Sequence, residues 1–385
     1  MSLLNQQGIR HKRDKIYEQL AKPGNAYSVY NNKHYQGEII LGEYLVEQVF
    51  QDKSSGFYAL GLVSASGENP PVLVIRGFGN WGRLEEFPTE FLPYKDIPDV
   101  VINESDRHLQ AAKKLGVIEW LKDKAFRGMK PDLVGQSLGG KIGQQLTVEV
   151  PDYIHSLITF NSIGISTKEF EKYQGKVKIY HYINPADLVP YLLGEKFLPG
   201  IIFQVCNTNI KTSDLLGQHN NLVLANSLTL IKEVEVETFY CVREFYKCLK
   251  DYSNLVQKEV EELSQTARKE LTECGKNVRK SGQAVGQDLH NSRQAIQQEF
   301  IKIMQAVRQD LLEDIKGTGS TQLLHKKVND SIESIHKEVE KLSQTLQQEI
   351  PSPGNTFKNF SQMLQQELRA SVGTIKQKLD KFLPR

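Results

Sequence analysis

A chain of 385 residues is too long for one typical core and leaves room for a catalytic domain plus a second region. Lys and Arg number 48 against 46 Asp and Glu, a near-balance that argues against nucleic acid or a strongly anionic surface as partner. There is no run of about 18 apolar residues, and Met1-Ser2-Leu3-Leu4-Asn5-Gln6-Gln7 carries no signal-like apolar stretch, so a soluble, cytoplasmic chain is expected. Such a chain would meet a membrane only peripherally, or leave the cell by a route needing no classical signal. Cys206, Cys241, Cys248 and Cys274 show no paired short spacing and read as reduced thiols. Neither a metal nor a cofactor is expected.

Along the chain, residues 1–25 hold a polar, basic opening and a short helix, and residues 36–50 have helical spacing. Phe57 to Ser64 and Pro71 to Ile75 read as a hairpin turned at Gly67-Glu68-Asn69-Pro70. The stretch from Gly79 to Asn103 is rich in Pro, Glu and aromatics without a period. It reads either as a lid or substrate loop or as a plain connection. A helix over 106–126 follows. Lys130-Pro131-Asp132-Leu133-Val134 then reads as a buried strand behind a Pro breaker, and Lys141 to Leu146 as the start of a helix.

Between that strand and helix stands Gly135-Gln136-Ser137-Leu138-Gly139-Gly140. The pattern Gly-x-Ser-x-Gly is weak by itself; strand, sharp turn and helix around it make it a nucleophile elbow. Gly135 and Gly139 remove Cβ atoms that would clash at the bend, leaving Ser137 with an exposed Oγ. A serine hydroxyl needs a base and an orienting acid, which in this arrangement follow it in chain order, acid first. The next strands are Ile154 to Asn161 and Val177 to Ile183. Asp187, in Asn184-Pro185-Ala186-Asp187-Leu188-Val189-Pro190, falls just past the second one's C-terminal end, where open α/β sheets place ligand chemistry. His219 is the histidine between Asp187 and the tail; His181 lies inside a strand, before the acid, and reads as a packed residue. Asp214 is a rival acid with no strand end behind it. For the oxyanion, the N–H of Leu138 and the N–H of Phe78, on the loop after Val72-Leu73-Val74-Ile75, are the candidate donors.

With these residues in place the chain resembles the class 3, or fungal-lipase-like, lipases of the α/β-hydrolase fold. The resemblance rests on Val74-Ile75-Arg76-Gly77-Phe78 with Trp81, the Gly135–Gly140 run, Ile158-Thr159-Phe160-Asn161-Ser162, Asn184 to Pro190 and His219, in family order over roughly residues 55 to 225. It implies hydrolysis of carboxylic esters of lipids through an acyl-enzyme, with Ser137, Asp187 and His219 as the triad. Gln136 stands where the family usually has His, and Phe78 where it usually has Thr; a backbone donor survives the second change.

From about Ile231 Gly and Pro become rare and apolar residues fall in three- and four-residue steps. Leu289, Ile296, Phe300, Ile303, Val307 and Leu311 form one stripe. Leu324, Val328, Ile335, Val339, Leu342 and Leu346 form another, and Phe357 to Phe382 a third. Breaks fall at 317–320 and 351–354. The expected division is an α/β-hydrolase domain over 1–230 and an all-α, coiled-coil-like or bundled extension over 231–385. Narrow stripes favour helix-on-helix packing, within the chain or in a homo-oligomer. A peripheral membrane anchor is a second reading, opposed by Gln-rich polar faces without basic enrichment, and disorder a third, opposed by the regular apolar periodicity. Lipid or another ester is the expected substrate. An acyl hydrolase of non-lipid esters or thioesters stays open, as does a helical scaffold with a vestigial hydrolase domain.

Overall fold

Nine strands hydrogen-bond in sequence order into one mixed sheet in the computed structural model. It describes residues 13–78 except 25, then 97–185, 187, 189–207, 219, 224, 229–273, 321–349 and shorter pieces within 287–313 and 372–377. The strands are β1 (Ile39–Ile40), β2 (Tyr44–Asp52), β3 (Phe57–Ser64), β4 (Val72–Ile75), β5 (Asp132–Gln136), β6 (Ser156–Phe160), β7 (Lys178–Ile183), β8 (Ile201–Asn207) and β9 (Thr229–Val234). β1 to β4 form an antiparallel meander, β4 to β8 run parallel, and β9 returns antiparallel along β8. The chain is therefore an α/β protein whose parallel centre requires crossover helices.

Those central strands are buried on both faces, as their continuous apolar sequences require. On one face Leu73, Ile75, Leu133, Leu157 and Ile179 pack with Leu109, Ala112, Val117, Leu121, Ile142 and Leu146. These come from α2 (Ile97–Lys114), α3 (Val117–Phe126) and α4 (Leu138–Glu149). On the other face Val72, Val74, Val134, Ile158 and Phe160 pack with Tyr17, Leu20 and Ala21 of α1, residues 13–21. Two short helices, α5 (Thr167–Lys172) and α6 (Val189–Leu192), complete the crossovers.

Residues 36–50, expected to be helical, hold β1, a turn and most of β2 instead. Their three-residue spacing has a local cause: the β2–β3 register shifts between Val46 and Gln48. That bulge moves the alternation by one, so Val46 and Val49 face one core while Phe50 faces the other. The helix expected over 106–126 is two helices, parted at Gly116 with φ 82°. Much of the segment considered as a lid, 79–96, lies outside the described residues, as do the breaks at 317–320 and 351–354.

β5 begins in a polar knot. The buried Asp132 carboxylate accepts from Tyr17 Oη at 2.8 Å, Ser156 Oγ at 2.5 Å and His155 Nδ1 at 2.7 Å, with Arg13 Nη1 at 3.9 Å. Burial alone would raise this carboxyl's pKa; the bonds from His155 and Ser156 and the Arg13 charge outweigh it, and the pKa lies below the ordinary value. A depressed pKa means stability that is complete above the unfolded value of about 4 and lost as pH falls through the folded one. Asp132→Asn should cost about 2–3 kcal/mol near neutral pH in denaturant titrations, the loss of charge-assisted bonds. The gap from the wild type should close as both are titrated toward pH 2.

The chain divides into two compact units, Met1–Phe239 and Tyr240–Arg385. The break comes later than the expected 230/231 because β9 crosses that point and pairs Ile231–Val234 with Ile202–Val205. Phe239 ends the first unit, its ring edge-on to Phe197 at 5.5 Å and tilted on Tyr191 at 5.3 Å. The second unit is helical wherever it is described, with the greater part of α7 (Val236–Glu273) and all of α8 (Thr321–Glu349). Ile296, Ile303, Val307, Val328, Ile335, Val339 and Leu342, all from the predicted stripes, are buried. Among the described residues no helix is long and apolar enough to cross a membrane. A chain ended after Phe239 should melt cooperatively; one ended after Leu230 loses most of β9 and should melt lower or aggregate, as circular dichroism would show.

Candidate active site

Ser137 joins β5 to α4 with φ 56° and ψ −124°, a backbone conformation strained for any L residue. Its surroundings leave no alternative. The Ser137 N–H donates to the Phe160 carbonyl at 3.1 Å, and its own carbonyl accepts from Lys141 N and Ile163 N, each at 3.2 Å. A Cβ on Gly135 would stand 2.5 Å from the Gly139 carbonyl group, and one on Gly139 would run into the Ile75 carbonyl at the end of β4. Backbone thus packs directly on backbone on both sides of the bend, which only glycine permits.

The acid and the histidine meet. Asp187 lies past the end of β7 in a turn closed by its own N–H to the Asn184 carbonyl at 2.9 Å. Its Oδ1 accepts from Val189 N at 3.0 Å, and its Oδ2 lies 2.5 Å from His219 Nδ1. Both side chains are 1 % exposed. A carboxylate only accepts, so Nδ1 carries the hydrogen and Nε2 presents the lone pair a general base needs. The rival Asp214 lies outside the described residues; His219 takes Asp187.

Three further side chains hold the His219 main chain in relation to the elbow. Gln136, immediately before Ser137, donates from Nε2 to the His219 carbonyl at 2.8 Å. Asn161 Nδ2 donates to the same carbonyl at 3.2 Å, while Asn161 Oδ1 accepts from Asn184 N at 2.8 Å. Tyr30 Oη closes the chain by donating to Gln136 Oε1 at 2.8 Å. None of these roles was anticipated from sequence. Asn161 and Asn184 each sit just beyond a strand end, a position that could have flagged them; Tyr30 gave no signal.

The two oxyanion candidates converge on the same bend. Leu138 is the first residue of α4, so its N–H is among those a helix cannot bond internally, at the positive end of the dipole. Phe78 follows Gly77, where a Cβ would overlap Tyr30 Oη and stand 2.8 Å from the Gln136 carbonyl and 3.3 Å from Ser137 Cβ. The β4 loop therefore passes against the elbow. Arg76 pins it, donating to the Gly56 carbonyl at 2.5 Å and to Asn32 Oδ1. His181 is indeed a packed strand residue: its Nδ1 meets Thr159 Oγ1 at 2.8 Å, its Nε2 the Leu198 carbonyl at 3.0 Å, and burial lowers its pKa to about 4.

Gly135→Ala should destabilise the fold by about 3 kcal/mol or more, since the new methyl meets backbone that no rotamer change can clear. Chemical denaturation of the purified variant measures it.

Comparison with known proteins is sparse. No protein-family model matches the chain, and no curated protein matches it. Among solved structures it is similar to a triacylglycerol lipase from Penicillium expansum, with a TM-score of 0.35 and 11 % identity, over 59 % of this chain and 84 % of that one.

Proposed function

We propose that this chain is a serine hydrolase that cleaves carboxylic esters of lipids. Ser137 is the nucleophile, His219 the general base and Asp187 its orienting acid. The observation that carries the reading is the buried Asp187–His219 pair, hung by its own main chain from the residue next to a strained serine. In this reading Ser137 Oγ loses its proton to His219 Nε2 and attacks the ester carbonyl. The N–H groups of Leu138 and Phe78 receive the oxyanion. His219 returns the proton to the departing alcohol, and water repeats the sequence on the acyl-enzyme.

Lipid as the substrate class is supported by the ordered motif blocks from Val74 to His219, not by the triad, which any acyl hydrolase could use. Profiling on nitrophenyl esters of increasing chain length, phospholipids and acyl thioesters separates these classes. Greater activity on thioesters than on any oxygen ester would remove the lipid-ester assignment.

Ser137→Ala should lower ester turnover by at least about 10⁴-fold, with His219→Ala similar and Asp187→Asn severe but smaller, because the three act as a unit. Steady-state kinetics on folded variants checks this; near-wild-type turnover in Ser137→Ala would take the serine out of the mechanism.

A further inference from the structure

Gln136 is buried, yet a glutamine has no part in the proton transfers between Ser137, His219 and Asp187. Its amide is fixed at both ends, Oε1 facing the Tyr30 hydroxyl at 2.8 Å and Nε2 facing the His219 carbonyl at 2.8 Å. A carbonyl oxygen only accepts, so the His219 carbonyl requires the amide to present Nε2 to it, which turns Oε1 toward the Tyr30 hydroxyl. Asp187 holds the imidazole at Nδ1, and where the ring stands depends also on a second hold, on its main chain. Gln136 and Asn161 supply that second hold, and both act on the same carbonyl.

We propose that Gln136 is a positioning residue that sets His219 over Ser137 through the His219 main-chain carbonyl, with Tyr30 anchoring the other end of the amide. Tyr30 adds a connection of its own. Its hydroxyl lies against Gly77, on the loop that carries the Phe78 N–H, so one phenol braces both the base and the oxyanion loop. An ångström of displacement at a reacting group can cost on the order of a hundredfold in rate, which is why such bracing matters. The inference rests on the serine-hydrolase reading.

The test compares Gln136→Met, which keeps the volume and loses both bonds, with Tyr30→Phe, which loses one oxygen, and with the double variant. Gln136→Met should lower kcat about tenfold, the worth of one neutral hydrogen bond, with KM within about twofold. Tyr30→Phe should lower kcat about threefold, and the loss in the double variant should fall short of the product of the two single losses, since the larger part of what Tyr30 does passes through Gln136. The acid limb of the pH–rate profile should move in the same variants. A second arm needs no turnover: the ¹⁵N and proton resonances of the His219 ring, followed against pH in substrate-free protein, should shift in Gln136→Met and Tyr30→Phe. Wild-type kcat with an unmoved His219 spectrum in Gln136→Met overturns the proposal. So does a raised KM at constant kcat, which would put the side chain against substrate, or strict additivity in the double variant. If Gln136→Met fails to fold, Tyr30→Phe decides by the same readouts. Turnover surviving in Ser137→Ala sinks the hydrolase reading instead, and the His219 spectrum still judges Gln136.

Discussion

The backbone of Ser137 is held at a positive φ that costs roughly 1–3 kcal/mol and persists only where neighbours over-determine it. The neighbours here are strands. The Ser137 N–H is taken by Phe160 at the end of β6, its carbonyl by Ile163 beyond that end and by Lys141 on α4. Gly139 rests on the carbonyl at the end of β4. Three parallel strands in register and one helix start must be correct together before this serine can adopt its conformation. The close-packed glycines Gly77, Gly135 and Gly139 all serve that single bend.

β5 carries opposite tasks at its two ends. At its start the carboxylate of Asp132 is consumed in bonding to Tyr17, His155, Ser156 and Arg13, which pulls its pKa down and makes it a structural anion. At its end the Gln136 amide donates to the His219 carbonyl. The N-terminal segment touches both: Tyr17 on Asp132 and Tyr30 on Gln136, with Asp14 taking the Tyr182 hydroxyl of β7 at 2.5 Å between them. A buried Glu18–Lys22 pair at 2.9 Å, with Lys22 Nζ 6.0 Å from the Phe160 ring, fixes the same segment. Residues that look like a polar leader in sequence thus brace the central strand along its length.

That brace marks where the sequence stopped being legible. The elbow could be read because glycine spacing, a strand and a helix start are local features within a few residues. Asp187 could be placed because a strand end precedes it, and His219 followed by chain order. Tyr30 could not, since its meaning depends on Gln136, far along the chain, and a lone tyrosine in a loop carries no pattern. The bulge at β2 misled for a related reason: one extra residue turns a two-residue alternation into a three-residue step that imitates a helix. β8 and β9 escaped notice because Ile201–Asn207, paired on both sides, and Thr229–Val234, at the sheet edge, take their partners from tertiary pairing.

The helical unit follows a different logic. Its stripes are too narrow to form stable lone helices in water, since isolated helices need a partner face. Val328, Ile332, Ile335, Val339 and Leu342 of α8 are each at most 2 % exposed in the single chain. Their face is therefore already covered without a second copy or a bilayer. Either partner would have to displace side chains that are now buried, each worth roughly 1.5–3 kcal/mol of apolar transfer. An assembly or membrane role for the tail accordingly calls for surface outside these stripes, or for uncovering them. The polar faces, mixed in charge and rich in Gln, are better suited to the first of these than to entering lipid.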